Sequence, residues 1–354
     1  MKLSDLGWDA EWQREFEPYA AEGLTPGRVI AEHKELYRVA TDVTEIPAEV
    51  AGKLRFEAVR RSDFPAVGDF VALRLSEGDG LALIDAILPR KTAFIRKAAG
   101  ESGDDQVVAS NVDAVFIMTA MDRDFNLRRL ERYLALVWEG GAQPIILLNK
   151  ADLCEDPDGL LNELDEIAFG VPVHIISALN DEGLEALEPY LRPGYTVSFV
   201  GSSGVGKSTL LNQLLGRKAQ ATQEVRADDS RGRHTTTHRE LFVRPEGGII
   251  IDTPGMRELQ LWHAQGGVEK AFSEIDALAA QCRFRDCHHG NEPGCAVRAA
   301  VERGELDPER LASYEKLTQE LRYTETRFDK DAALERKRQD KIANKAMKQF
   351  KTRY

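Results

Sequence analysis

Apolar positions divide this chain into stretches of different texture. From Gly27 to about Ala98 the runs are short and alternate with polar residues: Arg28–His33, Leu36–Thr41, Leu54–Val59, Asp69–Leu75 and Leu81–Ile87. Pro65-Ala66-Val67-Gly68-Asp69 supplies a turn between two of them. Five such runs predict strands of a small barrel, and an OB-type or an SH3-like closure fits the pattern. From Val112 the period changes. Asp113–Met118 reads as an apolar strand behind its leading acid, Asn126–Glu139 puts Leu127, Leu130, Leu134 and Val137 on one helical face, and a second apolar run ends at Asn149. Strand–helix–strand alternation predicts an α/β domain with a mostly parallel sheet covered on both faces. After Gly266 the pattern is helical, interrupted by a cysteine cluster. The expected layout is an extension (1–25), a barrel (26–110), an α/β domain (111–265) and a helical domain (266–354).

The polar residues that end the α/β strands carry the chemistry. Thr196–Val200 is a β-branched and aromatic run followed by Gly201-Ser202-Ser203-Gly204-Val205-Gly206-Lys207-Ser208, then by the helical run Thr209–Leu215. Strand, G-x-x-x-x-G-K-[ST] loop and helix form the context of a phosphate loop. Its glycines let backbone N–H groups wrap phosphates, and the helix N-terminus adds positive potential. Lys207 is expected to reach the β- and γ-phosphates, and Ser208 to ligate Mg²⁺.

The run Pro144–Leu148 delivers Asn149-Lys150-Ala151-Asp152 to the same kind of sheet edge. Asp152 can accept two hydrogen bonds from guanine N1–H and N2–H₂, which adenine lacks. Ser177-Ala178-Leu179 closes a further strand and reinforces the base-reading assignment. Asp252-Thr253-Pro254-Gly255 ends the strand Gly248–Ile251; Asp252 would hold Mg²⁺ through water, and the Gly255 N–H would face the γ-phosphate. One of Thr235, Thr236 and Thr237 supplies another Mg²⁺ ligand, and spacing to the next strand favours Thr237. Met256 follows Gly255 and cannot usefully hydrogen-bond an attacking water, so His234 is the nearest candidate for that task. A Ras-like GTPase starts at the phosphate loop and ends at the base-reading motifs; here the base-reading motifs come first, the phosphate loop next and Asp252 last.

Three of the four cysteines, Cys282, Cys287 and Cys295, fall within fourteen positions, with His288 and His289 between them. An odd number cannot pair off, and three thiolates with one imidazole make a closed tetrahedral Zn²⁺ site. Spacing leaves His288 and His289 in competition. Cys154 stands alone as an ordinary half-buried residue.

Gly-Arg-His-Thr-Thr-Thr at 232–237, Asp-Thr-Pro-Gly-Met at 252–256 and Phe-Arg-Asp-Cys-His-His…Glu-Pro-Gly-Cys-Ala-Val together resemble the ribosome small-subunit-dependent GTPase A family. The likeness runs from about Pro26 to the C-terminus. It implies a circularly permuted P-loop GTPase domain between an N-terminal OB-type barrel and a C-terminal helical zinc domain. It further implies a cytoplasmic protein hydrolysing GTP to GDP late in small-subunit assembly, stimulated by the subunit and its rRNA. The fourth zinc ligand then falls on His289. Residues 1–25 depart from the family pattern.

Charge adds detail. The net charge of −12 argues against wholesale coating of nucleic acid, yet Lys330–Tyr354 holds nine basic residues against three acids. That tail, with Arg55, Arg60, Arg61 and Arg74 and the aromatics Tyr37, Phe56 and Phe64 of the barrel, offers candidate RNA contacts. No run reaches eighteen apolar residues, so no membrane span is expected. A monomer is expected. The competing function is an RNA-bound P-loop scaffold with a structural nucleotide; the complete set Lys207, Ser208, Thr237 and Asp252 favours turnover.

Overall fold

The computed structural model describes residues 2–33, 36–75, 80–97, 105–216, 239–252, 264–290 and 292–323. The chain divides into two compact units, Met1–Gln260 and Leu261–Tyr354.

The first unit opens with a short turn of helix, Leu3–Leu6, and α1 (Ala10–Ala21). Asp9 caps α1 by accepting from the N–H groups of Glu11 and Trp12. The barrel follows: β1 (Thr25–His33), β2 (Leu36–Ala40), β3 (Glu45–Val50), α2 (Gly52–Glu57), β4 (Phe70–Leu75) and β5 (Ala82–Ile87). Neighbours run β1-β2-β3-β5-β4, and β4 returns to pair with β1. Only β3 and β5 are parallel. A five-stranded closure of this order, with a helix between the third and fourth strands, is the OB type rather than the SH3-like one.

One strand was misplaced by periodicity. Leu54–Val59 alternates, but most of it is α2, with Phe56 and Val59 about nine-tenths exposed. The third strand is Glu45–Val50, which contains Pro47. Proline is tolerated there because β3 pairs with β5 only from Ala48 onward, leaving one edge of Pro47 open.

Strand β4 uses both faces. Val71 and Leu73 point into the barrel core with Val29, Val39 and Ile84. Phe70 and Ala72 point outward and are covered by Trp12 and Phe16 of α1. Burying each such aromatic contributes about 2–3 kcal/mol, which gives residues 1–25 a packing role. Arg28 secures the arrangement. Its buried guanidinium donates to the carbonyls of Leu6 (2.6 Å), Gly68 (3.1 Å) and Asn111 (3.1 Å) and to Thr196 Oγ1 (3.0 Å). Burial lowers its pKa to about 10, with Asp113 and Asp69 opposing the shift, so it stays cationic at neutral pH. Gly68 lies at φ +100°, where a Cβ would meet the Ser110 carbonyl at 2.1 Å and Ile251 at 3.0 Å.

A hairpin of β6 (Ala93–Lys97) and β7 (Asp105–Ser110) forms a separate small sheet. Then come β8 (Ala114–Ala120), α3 (Leu127–Glu139), β9 (Gln143–Asn149), α4 (Pro157–Asp165), β10 (Val173–Ile175), β11 (Thr196–Gly201), α5 (Lys207–Leu214), β12 (Arg239–Val243) and β13 (Ile249–Asp252). Their order is β10-β9-β8-β11-β13-β12, parallel except for β12. Every residue of β8 is buried, as a strand covered on both faces requires. The sheet does not end at β12: β1 of the barrel pairs with it, giving one eleven-stranded sheet.

In the second unit α6 (Gln265–Ala271), α7 (Ser273–Ala279), α8 (Ala296–Glu302) and a helix over 308–323 pack around Phe272, Ile275, Val297 and Ala300. Arg310 lies 4.4 Å from the Phe272 ring centre and pairs with Glu274 at 2.7 Å. Among the described residues no helix is long and apolar enough to cross a membrane.

Candidate functional site

The strands β8, β9, β11 and β13 all deliver polar residues from their C-terminal ends, where open α/β sheets bind ligands. Gly201–Gly206 forms the turn between β11 and α5, with Gly201, Gly204 and Gly206 at positive φ. Val205 is buried and anchors the loop, while Ser203 and Gly204 are exposed at its tip. Lys207, Ser208 and Thr209 form the first turn of α5. The Lys207 ammonium donates to the carbonyls of Gly201 (2.8 Å) and Ser202 (2.5 Å).

Asn149 joins this loop to the base-reading motifs. Its Nδ2 donates to the Val205 carbonyl (2.7 Å), and its Oδ1 accepts from the Ala178 N–H (2.9 Å). It is 3% exposed, so these two bonds replace its water. A Cβ at Gly206 would sit 2.2 Å from Asn149 Nδ2, which explains the glycine. Asp152 accepts from Ser177 Oγ at 2.6 Å. Lys150 takes the left-handed conformation (φ 65°). Asn149, Lys150, Asp152, Ser177, Ala178 and the loop Gly201–Thr209 are therefore brought together, with Asp252 closing the neighbouring β13. His234, Thr235, Thr236, Thr237 and Gly255 lie outside the described residues, as does Met256.

Two further acidic residues border the site, in the loop between β8 and α3. Asp122 pairs with Lys150 Nζ at 2.8 Å. Burial pushes the Asp122 carboxyl up, but Lys150 and the Asp124 N–H hold it below the ordinary range. Asp124 accepts from Ser202 Oγ and pairs with Arg129 at 3.0 Å. The signal was present in the sequence: Met121-Asp122-Arg123-Asp124 is the polar end of an apolar strand, just as Asn149-Lys150-Ala151-Asp152 is.

In the second unit the thiols of Cys282, Cys287 and Cys295 and a ring nitrogen of His289 all lie within 4.8 Å of one another. Cys282 Sγ is 3.9 Å from Cys295 Sγ; His289 Nδ1 is 3.8 Å from Cys282 Sγ and 3.5 Å from Cys295 Sγ. A tetrahedron with ~2.3 Å metal–sulfur bonds has edges of about 3.8 Å, so the donor set fits a four-coordinate ion. Chain geometry chooses His289 over its neighbour: at φ 60° it turns inward and is buried, whereas the His288 N–H is tied to Glu292 (3.1 Å). The N–H groups of Ala296 and Arg298 reach the sulfurs of Cys282 (3.4 Å) and Cys295 (3.5 Å). Against burial, the Ala296 and Val297 N–H groups hold the Cys282 thiol below its ordinary value. The His289 N–H draws Cys287 down, yet burial and the two neighbouring sulfurs push it up to about 11. Three sulfurs and one imidazole nitrogen in this geometry could hold a metal ion.

A phosphate loop between β11 and α5, preceded in the chain by the Asn149 and Ser177 motifs, defines a circularly permuted P-loop GTPase. The family model described as RsgA GTPase matches residues 87–262. "Small ribosomal subunit biogenesis GTPase RsgA" of Opitutus terrae is 50% identical over 338 residues, covering 93% of this chain and 92% of that one. The protein of the same name from Syntrophotalea carbinolica is 42% identical, covering 99% and 98%. Among solved structures, YjeQ from Thermotoga maritima superposes with TM-score 0.64 at 29% identity, over 84% of this chain and 98% of its own. YloQ, described as a circularly permuted GTPase, gives 0.61 at 28%, over 86% and 96%. The chain belongs to the RsgA GTPase family.

Proposed function

We propose that this GTPase acts as a switch in small ribosomal subunit assembly, hydrolysing GTP to GDP and phosphate at the cleft built by β9, β11 and β13. The observation that carries the reading is Asn149, which holds the phosphate loop and the Ser177-Ala178 turn with one side chain. Phosphate-binding and base-reading groups are thereby kept in a fixed relation.

Asp152 reads the guanine edge, Ala178 and Lys150 flank the base, and Gly201–Thr209 wraps the phosphates with Lys207 as cation. Ser208 and Asp252 offer hard oxygen donors suited to Mg²⁺, joined by Thr237; when bound with nucleotide it neutralises charge on the β- and γ-phosphate oxygens. Gly255, which lies outside the described residues, is assigned to the γ-phosphate by its place in the Asp-Thr-Pro-Gly motif. His234 orients the attacking water in place of Met256. Cys282, Cys287, His289 and Cys295 hold one structural Zn²⁺, which stabilises their fold.

The partner is rRNA on the subunit. On the barrel, Lys53, Arg55, Arg60 and Arg61 are exposed within a few positions of the exposed Phe56, a basic stretch with an aromatic suited to stacking. Tyr37 is buried in the barrel core and Phe64 packs against it, which leaves Phe56 for that role. The basic tail beyond Lys330 lies outside the described residues and is assigned to RNA phosphates on its charge. The protein works as a cytoplasmic monomer. Hydrolysis of GTP measured with and without purified small subunits tests the reading; equal rates would refute it.

A further inference from the structure

The junction between barrel and GTPase sheet is short and charged. Strands β1 and β12 pair through Ala31↔Glu240 and Glu32↔Arg239. On its other edge β12 pairs with β13, and there Glu240 lies opposite Asp252. One transverse row therefore runs Ala31–Glu240–Asp252. The barrel strand stands two strand spacings, about 10 Å, from the strand end that carries Asp252.

Side chains clamp that row from both sides. Glu32 pairs with Arg239 at 2.9 Å, with the two side chains only 12% and 13% exposed. Arg38 of β2 pairs with Glu240. The two backbone pairs between β1 and β12 set their mutual register weakly, whereas β12 is held to β13 through four. A nearly buried ion pair at the register position is costly to break by removing one partner, because the other charge is left without its counter-ion, so the clamp reinforces the register.

Glu32 has a second cation. Arg61 reaches it at 3.5 Å and is 44% exposed. Two guanidiniums thus share one carboxylate, and one of them faces solvent where it can also meet a phosphate. An anion engaging Arg61 leaves Glu32 wholly to Arg239.

We infer that Glu32 is a positioning residue that relays phosphate binding at Arg61 through Arg239 and β12 to Asp252. The inference rests on the reading above, in which the barrel meets RNA and Asp252 serves the nucleotide. Capture of Arg61 by an RNA phosphate tightens β1 on β12 and steadies the row ending at Asp252. Because coupling of binding energies is reciprocal, nucleotide bound at Asp252 must in turn steady the barrel junction.

The test uses the full chain without subunits. Amide hydrogen exchange is compared with GDP and with a non-hydrolysable GTP analogue plus Mg²⁺. In the wild type the analogue is expected to slow exchange in Val29–Glu32 and Arg239–Val243 at least about threefold. Glu32→Gln is expected to abolish the barrel part of that response while GTP affinity and unstimulated hydrolysis stay within about twofold. The exchanged pair E32R with R239E is expected to restore it in part. A barrel indifferent to nucleotide in the wild type overturns the relay, as does E32Q responding like wild type. E32Q losing GTP affinity outright marks Glu32 as structural and also overturns it. With subunits, E32Q is expected to lose at least about fivefold of the stimulated rate. Absence of stimulation in the wild type refutes the assembly role, and exchange alone then decides the relay.

Discussion

The nucleotide site and the cysteine–histidine cluster are built on opposite principles. At the first, strand ends and glycine turns fix the geometry, and neutral hydrogen bonds such as those of Asn149 tie the pieces together. At the second, four donors crowd onto a short link between α7 and α8, all within 4.8 Å of one another. That arrangement is a donor set matched to one four-coordinate cation. The first site is a product of its fold, and at the second a bound metal would add folding energy of its own.

The largest effect should therefore come from Cys295→Ser. With the metal lost, the region around Cys282–Cys295 and the start of α8 should unfold, since the energy of such sites is largely folding energy. Circular dichroism and elemental analysis would show it, while GTP affinity stays within about twofold because the phosphate loop has its own core. Loss of GTP binding in that variant would break the comparison.

Asp152→Asn should act the other way, lowering GTP affinity more than about tenfold by replacing a paired carboxylate with a mismatched amide. The melting temperature without nucleotide should stay near wild type. A titration with unchanged preference for GTP over ATP would remove Asp152 from base reading.

The smallest effect lies beneath the sheet. Burial raises the Asp113 pKa against the opposing pull of the Thr196 N–H and Arg28. An acid whose folded pKa exceeds its unfolded value of about 3.9 stabilises fully below that pH, and the contribution fades as pH rises through the folded value. Asp113→Asn should flatten the stability profile over that interval, read by urea unfolding at several pH values, without altering GTP affinity. An unchanged profile would contradict the assignment.

What could be read from the sequence was what local chemistry carries. Gly201–Ser208, Asn149–Asp152 and the three cysteines declare themselves by spacing, because the ligand dictates those residues at those intervals. The barrel was legible as five strands, but Pro47 masked the third and the alternation of Leu54–Val59 imitated it. Spacing alone left His288 and His289 open; the family resemblance pointed to His289, and the backbone angle that turns it inward agrees. The role of residues 1–25 rests on Trp12 and Phe16 meeting the outer face of β4, which no periodicity reveals. The Glu32–Arg239 pair joins positions far apart in the chain, so only the folded sheet brings it into view.

The central claim is that nucleotide turnover answers to the subunit. Single-turnover GTP hydrolysis by the full chain, alone and with saturating small ribosomal subunits, tests it most directly. With Met256 where a water-orienting glutamine would stand, the isolated protein should be slow, about 10⁻⁴–10⁻³ s⁻¹. Subunits should raise that rate at least about tenfold, and His234→Ala should remove most of the gain while GTP affinity persists. A rate that subunits leave unchanged would contradict the account.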